Sequence, residues 1–390
     1  MIIVNGLVFT DRFVFEKKNL RVLKGIITEV TDAELSPEDG EEVVDAAGKR
    51  IIPGLTDIHF HGAVGVDLCD GTPEAVRKLA EYEYSAGVTQ ICPATMTLPV
   101  DRVEKIVKNA YEFKKEQEKK ALDNQGEYAE KESRLVGINL EGPFISPQKV
   151  GAQNPEYVVA ADAEFLGKLL DETESLPKVI TIAPEEQGNI TCIEKLHDRI
   201  RFSIGHTNAG YEEARAGFEA GAKHMTHLFN AMNGINHRLP GPIVAGAERS
   251  DVTPELISDG IHVAPASVRF AFDLFGADRM ILISDSTRAA GMADGEYELG
   301  GQPVFKYDNA AWLTKKEPGK QGTLAGSASN LFECLQKAIE FGVPAEDAIR
   351  AATYNPAAAI GVSDKYGTIA RGKSGRLLML DDNYDLVRVL

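Results

Sequence analysis

Residues of metal-binding and acid–base type stand at or just beyond the ends of several strand-like segments of this chain. They are His59, His61, Glu141, His206, His227 and Asp285. Imidazole nitrogens and carboxylate oxygens are the ligands that bind zinc and similar divalent cations in proteins. The carboxyl ends of parallel barrel strands meet on one face of the fold, where such side chains can surround one site. The pattern therefore predicts a metal-dependent hydrolase.

His59 and His61 are separated by one residue in the segment 56–62. Because alternate residues of a strand share a face, the two rings are expected to point the same way, with Asp57 behind them. Two such imidazoles can bind one or two metal ions. The alternative is a pair of core histidines, but adjacent rings on one face are costly to satisfy in an apolar interior. We interpret them as ligands.

Glu141, His206 and His227 form a second set of candidate ligands. His206 and His227 are separated by one helical segment, so they end adjacent strands and can bind the same ion. Alone, Glu141 is either a ligand or a loop acceptor, and a lone histidine is usually a satisfied structural side chain. Three ligands with an open fourth position are typical of catalytic zinc sites. His224 is expected to face away from the site, and His197 to lie in a polar helix.

Asp285 follows the eighth predicted strand. Its carboxylate can take a proton from an activated water and return it to a leaving group. The alternative is a turn-capping role toward Ser286. Arg238 and His262 are positive groups that can hold an anionic substrate, since the planar fork of an arginine binds two phosphate oxygens. Spacing alone leaves both open as surface residues.

Eight apolar strand candidates have to position these side chains. They span residues 54–61, 88–93, 135–144, 179–184, 201–207, 223–230, 255–263 and 280–286. Helical segments lie between most of them, for example at 73–87, 211–221 and 266–275. Strands alternating with helices predict a parallel sheet, and eight such units match a TIM-like (β/α)8 barrel of the α/β class.

The two ends of the chain have a different sequence pattern from its middle. Short strands with glycine turns occupy residues 2–30 and return at 366–390. We expect them to pair as a small β-sandwich domain made of residues 1–51 and 364–390, with the barrel at 52–363. The charged run 114–134 predicts a solvated helix followed by a surface loop.

Composition excludes several classes of function. The net charge of −17 and pI of about 5.0 argue against a nucleic-acid or anionic-membrane surface, because either partner requires a basic face. The start of the chain lacks the features of a signal peptide, and no run approaches a membrane span. The four cysteines form no CxxC pair, which suits reduced thiols in the cytoplasm. Cys69 and Cys92 are interpreted as core thiols.

These motifs together resemble the N-acetylglucosamine-6-phosphate deacetylases, a family of the amidohydrolase superfamily. The resemblance covers nearly the whole chain. Its motifs are the segments 53–62, 140–144, 205–207, 227–232, 259–262 and 324–327. Two motifs in this order are specific to the family: Glu-Gly-Pro-Phe, which begins at Glu141, and His-Leu-Phe-Asn-Ala-Met, which begins at His227. His-x-His alone marks only the superfamily.

The resemblance implies a role for each matching position. Glu141, His206 and His227 would hold the main metal ion, and Asp285 would be the acid–base residue. The residues that would line the sugar phosphate are Ala152, Gln153, Asn230, Ala231, His262, Leu324, Ala325 and Gly326. Arg238 would reach the phosphate in the neighbouring subunit of a homodimer. Because His59 and His61 are both present, one or two divalent ions are expected, zinc first, with iron, cobalt or manganese as alternatives.

The implied reaction is hydrolysis of the acetamide of N-acetylglucosamine 6-phosphate to glucosamine 6-phosphate and acetate. The galacto-configured sugar stays open as a substrate, and so does the role of Gln153, because some members have histidine there. A ring-opening amidohydrolase fits less well, since many of those use a carboxylated lysine after the fourth strand, and residues 179–184 offer none. A barrel without metal, serving as an assembly scaffold, is the non-enzyme alternative.

Overall fold

The computed structural model describes residues 1–123, 131–315 and 322–390. The helices in these ranges are α1 (Pro73–Ser85), α2 (Val100–Asp123), α3 (Ala163–Glu172), α4 (Asn189–Leu196), α5 (Tyr211–Glu219), α6 (Gly241–Ala247), α7 (Pro265–Phe275), α8 (Leu331–Glu340), α9 (Ala345–Ala352) and α10 (Tyr354–Ala359). The strands are β1 (Ile2–Phe9), β2 (Phe15–Leu23), β3 (Ile26–Thr31), β4 (Val43–Asp45), β5 (Arg50–Pro53), β6 (Leu55–Asp57), β7 (Gly62–Ala63), β8 (Val66–Asp67), β9 (Val88–Ile91), β10 (Ala94–Thr95), β11 (Arg134–Leu135), β12 (Ile138–Leu140), β13 (Pro177–Ile182), β14 (Arg201–Ile204), β15 (His224–Met225), β16 (Thr253–Ile257), β17 (Ile281–Ile283), β18 (Gly295–Leu299), β19 (Gln302–Tyr307), β20 (Ala310–Trp312), β21 (Leu324–Ser327), β22 (Leu377–Leu380) and β23 (Leu386–Val389).

Parallel strands at the eight predicted positions form the barrel within the described residues. In order around it they are β6, β9 with β10, β11 with β12, β13, β14, β15, β16 and β17. The first and eighth strands meet just beyond their ends. There Asp285 N donates to His59 O at 2.9 Å and His61 N donates to Ser286 O at 2.7 Å. The predicted TIM-like α/β barrel is confirmed.

The helices pack on the outside of this barrel, as α1 illustrates. Its first turn is capped by Thr72, whose side chain accepts a hydrogen bond from Ala75 N, and Pro73 opens the helix. Val76 and Leu79 are buried in the main core cluster with the apolar residues of β9. The helix ends at Ser85, where the chain turns toward the left-handed Gly87, so the predicted segment 73–87 is confirmed to within two residues.

The barrel strands are shorter than predicted, and the residues of chemical interest lie beyond their ends. Four predicted strands extend past the observed ones: 54–61, 201–207, 223–230 and 280–286. In the structure, the hydrogen-bonded strands end at Asp57, Ile204, Met225 and Ile283. The backbone is left-handed at His206 (φ 46), His227 (φ 27) and Asp285 (φ 48). Such conformations cost about 1–3 kcal/mol each and are found at functional sites. The left-handed conformations direct these three side chains toward the mouth of the barrel.

The two ends of the chain share one sheet, as predicted. Its order among the described residues is β23-β22-β5-β1-β2-β3, with β4 also on β1. β22 is antiparallel to β5, with Leu377 opposite Pro53, and a bulge between Ile3 and Gly6 lets β1 change partner from β4 to β5. The expected sandwich is therefore a single mixed sheet. The domain limits at residues 51 and 364 stay a prediction.

A four-stranded antiparallel sheet, β18 to β21, follows the eighth barrel strand and was not predicted. The predicted helix of the charged run corresponds to the end of α2. Most of its predicted loop, residues 124–130, lies outside the described residues. No helix in the described ranges has both the length and the apolarity to cross a membrane. All four cysteines are buried and free, including Cys69 and Cys92, as expected.

Candidate metal centre

Glu141, His206 and His227 converge at the mouth of the barrel, as the sequence predicts. Glu141 follows β12 directly, while the two histidines come from the loops after β14 and β15. Glu141 Oε1 lies 3.0 Å from His206 Nε2 and 3.0 Å from His227 Nε2, and the two nitrogens are 3.1 Å apart. All three side chains are buried. These three ligand atoms lie close enough together to hold one ion.

The hydrogen bonds on the far side of the rings fix which nitrogen faces the centre. His206 Nδ1 lies 2.9 Å from the carbonyl oxygen of Lys149, and His227 Nδ1 lies 3.2 Å from that of Asn230. A carbonyl oxygen can only accept, so each Nδ1 carries a proton, and in the neutral ring Nε2 presents a lone pair. When both rings are neutral, two lone pairs and a carboxylate oxygen face one another without a proton between them. A cation is what stabilises such an arrangement.

His59, His61 and Asp285 form a second group beside the first, and their ligand atoms lie within 4.8 Å of one another. His61 Nε2 is 3.1 Å from Glu141 Oε2 and 3.3 Å from Asp285 Oδ1, while His59 Nε2 is 3.4 Å from Glu141 Oε1. His59 Nε2 and Asp285 Oδ1 are buried and have no hydrogen-bond partner among the described residues. Buried polar atoms are normally paired, so these two atoms also fit an ion.

The electrostatics of the centre follow from this crowding of acceptors. Burial opposes charge on Glu141, yet the His59 and His206 rings hold its pKa well below its usual range. Burial lowers the pKa of His61, but the nearby Asp285 and Glu141 carboxylates together outweigh burial and raise that pKa to about 10. A site that attracts protons this strongly attracts a divalent cation for the same reason, because the carboxylates favour positive charge.

The outer layer contains one residue that the sequence analysis missed. Glu255 of β16 is fully buried, and its carboxylate accepts hydrogen bonds from His59 Nδ1 at 2.7 Å and from His224 Nε2 at 3.0 Å. His224 was expected to face away from the site, and it does so in that it contacts Glu255 and not the ligand atoms. The signal for Glu255 was present in the sequence, since a lone acid interrupts the apolar run of a barrel strand.

A cavity of about 230 Å³ opens in front of the centre. His61, Glu141, His206, His227 and Asp285 form its floor. Most of the predicted substrate-contacting residues line its walls: Ala152, Gln153, Asn230, Ala231, His262, Leu324 and Gly326. Ala325 is buried beside them and does not line it. The volume suits one monosaccharide-sized ligand better than a polymer.

Gln153 uses both ends of its amide within the protein. Its Oε1 accepts a hydrogen bond from Thr97 N at 2.6 Å, so its Nε2 is the end that donates to Glu141 Oε2, at 2.5 Å. Thr97 Oγ1 donates in turn to Glu141 O at 3.1 Å. Through these contacts, residues in the wall of the cavity fix the position of Glu141. They give Gln153 a contact with the metal centre in addition to its place in the lining.

Of the two positive groups that were expected to bind an anion, only His262 lies at the cavity. His262 lines the cavity, with its Nδ1 2.7 Å from Asp259 Oδ2. Arg238 is exposed outside it, and its Nε contacts the neighbouring His237 Nε2 at 3.0 Å. Among the described residues, the lining includes neither lysine nor arginine. The single chain therefore does not bring Arg238 to the cavity.

Part of the cavity comes from the sheet that was not predicted. Leu299 of β18 and Thr323, next to β21, line one wall, together with Met96 from the loop after β10. Gln302 Nε2 donates to Ala152 O at 2.7 Å, which joins this sheet to the loop that carries Gln153. The sequence offers no pattern that assigns these side chains to a site, since their place depends on how the sheet folds back over the barrel.

Comparison with known proteins gives a consistent result. The amidohydrolase family model matches residues 50–388. The N-acetylglucosamine-6-phosphate deacetylase of Bacillus subtilis (strain 168) is 32% identical over 382 residues, covering 97% of this chain and 93% of the relative. The N-acetylgalactosamine-6-phosphate deacetylase of Escherichia coli O157:H7 is 29% identical over 382 residues, covering 97% and 95%.

Solved structures agree with the sequence relatives. A mutant of N-acetyl-D-glucosamine-6-phosphate deacetylase from Mycobacterium smegmatis, in complex with N-acetyl-D-glucosamine-6-phosphate, superposes with a TM-score of 0.86 at 29% identity. The match covers 100% of this chain and 97% of that one. The family model spans the barrel and, in the terminal sheet, β5, β22 and most of β23. This chain belongs to the amidohydrolase family.

Proposed function

We propose that this protein hydrolyses the acetamide of N-acetylglucosamine 6-phosphate, releasing acetate and glucosamine 6-phosphate. The observation that carries the proposal is the set of buried imidazole and carboxylate ligand atoms around Glu141, which faces a cavity of monosaccharide size. The names of relatives that align over nearly the whole chain support the same chemistry. Neither a ring-opening reaction nor a scaffold function is favoured by any feature of this site.

We further propose that the resident ion is zinc, held by Glu141, His206 and His227, with a second ion at His59, His61 and Asp285. Mixed imidazole and carboxylate ligands suit zinc, and iron, cobalt or manganese can use the same set. When bound, such an ion supplies a Lewis acid that polarises the amide carbonyl and makes water more acidic. Glu141 contributes to both groups, since its two oxygens face different histidines.

Asp285 is placed to move the proton that the reaction requires. Its Oδ1 lies at the floor of the cavity, 3.3 Å from His61 Nε2, and is otherwise unpartnered among the described residues. Burial raises the pKa of Asp285, but the nearby His61 and His59 rings together outweigh burial and keep the pKa below its usual value. An ionised Asp285 can accept a proton from the attacking water and then donate it to the departing amine.

The phosphate of the substrate requires positive charge, and the cavity lining in the described part of the chain includes neither lysine nor arginine. We propose that Arg238 of the partner subunit in a homodimer supplies it, with His262 and Asn230 on the near side. Ile235 and Leu239, on either side of the arginine, are exposed apolar residues of the kind that interfaces cover. The buried free thiols suit a cytoplasmic location.

The experiment that tests this function is acetate release from purified protein, with both amino-sugar 6-phosphates and unphosphorylated N-acetylglucosamine as substrates. We expect the gluco-configured phosphate to be the preferred substrate, with a kcat/KM above that of the galacto-configured one. The unphosphorylated sugar should react with a much higher KM, because it lacks the anion. Absence of acetate from both phosphates with metal-loaded protein would refute the proposal.

A second prediction concerns Arg238. Arg238→Ala should raise KM for the phosphorylated sugar far more than for the unphosphorylated one, with the metal content unchanged, because the arginine meets only the phosphate. Arg215→Ala is a suitable control, since Arg215 is an exposed arginine of α5 whose partners are Glu212 and Glu219. An equal rise in KM for both sugars would show that Arg238→Ala disturbs folding or the binding of the sugar ring, and not the binding of the phosphate.

Mixed dimers decide whether Arg238 acts across the interface. A heterodimer of one Arg238→Ala subunit and one Asp285→Asn subunit contains one site with an intact Asp285 and an arginine from its partner. At a substrate concentration well below the KM of Arg238→Ala, partial activity should therefore return when the two impaired variants are mixed and exchange subunits. No recovery in a mixture shown to contain heterodimers would mean that the arginine acts within its own chain.

A further inference from the structure

The carboxylate of Glu255 is in contact with both groups of candidate ligands without belonging to either. Its Oε2 accepts hydrogen bonds from His59 Nδ1 at 2.7 Å and from the backbone nitrogen of His227 at 3.1 Å. Its Oε1 accepts from His224 Nε2 at 3.0 Å. The side chain is fully buried inside the barrel, behind the ligand atoms. No part of it lines the cavity, so it cannot touch a substrate there.

We propose that Glu255 is the positioning residue of the metal centre: it fixes His59 with its Nε2 lone pair toward the ion and thereby sets the affinity of the His59, His61 and Asp285 group. The proposal deepens the function given above and rests on its claim that the centre binds metal. It requires no particular amide as the substrate.

Glu255 determines which ring nitrogen of His59 carries the proton. A neutral imidazole carries one ring proton, and the nitrogen that has it is decided by the partner of that nitrogen. Glu255 Oε2, 2.7 Å away and in contact with two donors, draws the proton of His59 to Nδ1. Nε2 is then bare, and it is this buried atom that has no partner among the described residues. Without the contact, the ring is free to rotate or to protonate Nε2, and either change removes a ligand.

His224 holds Glu255 from the opposite side. Its Nε2 donates to Glu255 Oε1, so its Nδ1 is free to accept from Thr253 Oγ1, which lies 2.6 Å away. Thr253, His224 and Glu255 therefore form a chain of buried contacts that ends on His59. Outer partners of metal ligands typically change metal affinity by about 10- to 100-fold when they are removed. A comparable effect is expected here.

Two conservative variants separate position from charge. Glu255→Gln keeps the length of the side chain and an oxygen that can accept from His59, but loses the charge. Glu255→Asp keeps the charge but is shorter by one methylene, so it no longer reaches His59. If Glu255 acts by position, Glu255→Asp should weaken zinc binding at the His59 group about 10- to 100-fold, whereas Glu255→Gln should weaken it much less. The reverse order would show that Glu255 acts through its charge and would overturn the proposal.

Zinc binding is measured by equilibrium dialysis over a range of free zinc, with zinc and protein counted in each sample. The wild type should bind in two steps, and the weaker step should be the one that His61→Ala abolishes. Wild-type protein that takes up a single ion at all concentrations would overturn the proposal, because the His59 group would then hold none. These results do not depend on acetate release, so failure of the assigned reaction and failure of this inference are distinguishable.

A measurement whose decisive result comes from the wild type guards against a Glu255 variant that does not fold. Nitrogen-15 NMR of histidine-labelled, zinc-loaded protein reports which ring nitrogen of each histidine carries a proton, and the His59 signals are assigned by their loss in His59→Ala. We expect a protonated Nδ1 and a metal-bound Nε2 for His59, with the same pattern in Glu255→Gln and its loss in Glu255→Asp. A His59 that carries its proton on Nε2 in the wild type would contradict the inference.

Discussion

Replacing His206 or His227 with alanine is expected to remove the metal ion and the activity together. Each ring presents a bare Nε2 to the same point, 3.0 Å from Glu141 Oε1, so the loss of either leaves two ligands where catalytic sites use three. The fall in affinity should exceed the roughly 10- to 100-fold that is typical of outer partners. Elemental analysis and acetate release on the same dialysed samples measure both effects.

His197→Ala is the matched control for these two variants. His197 lies at the end of α4, and its ring nitrogen contacts the exposed Asp198, remote from the ligand atoms. Its replacement should leave metal content and turnover at wild-type values. His59→Ala and His61→Ala should have milder effects than His206→Ala if one ion suffices for the reaction. Full metal content in His206→Ala or His227→Ala would disprove the ligand assignment.

The second large effect is expected at Asp285. Asp285→Asn should keep the ion at Glu141, His206 and His227 and still bind the substrate, while kcat falls by about 10²- to 10⁴-fold, because an amide cannot accept the proton from water. Single-turnover acetate release at saturating substrate measures the chemical step directly. Asp294→Asn, at an exposed position near the cavity-lining sheet, is the control. Near-normal turnover in Asp285→Asn would show that another group carries the proton.

The barrel and the main site were predictable because their signals are local. A parallel strand that is buried on both faces has a continuous apolar sequence, as in β17, and the eight barrel strands could be located from runs that are wholly or mostly apolar. Histidines and acids that end such runs are costly unless they serve a site, which identified Glu141, His206 and Asp285. The strand limits were less predictable, because the left-handed backbone at His206, His227 and Asp285 falls on residues other than glycine, which no sequence pattern signals.

What the sequence could not show depends on contacts between distant segments. Glu255 contacts His59 across 196 positions of the chain, and no periodic pattern encodes that pairing. Leu299 and Thr323 enter the cavity because a sheet after the barrel folds back over its mouth. Gln153 was expected to contact the sugar, but its rotamer is set by Thr97 and Glu141, which only the folded structure brings beside it.

We propose that hydrolysis of the acetamide of the sugar phosphate depends on a metal ion held at the Glu141 centre. The most direct test is acetate release from N-acetylglucosamine 6-phosphate by chelator-stripped protein, as zinc is added back and counted on the same samples. We predict no activity in the stripped protein and a rise in proportion to the ion that fills the Glu141, His206 and His227 site. Full activity in metal-free protein, or none in fully loaded protein, would contradict the account.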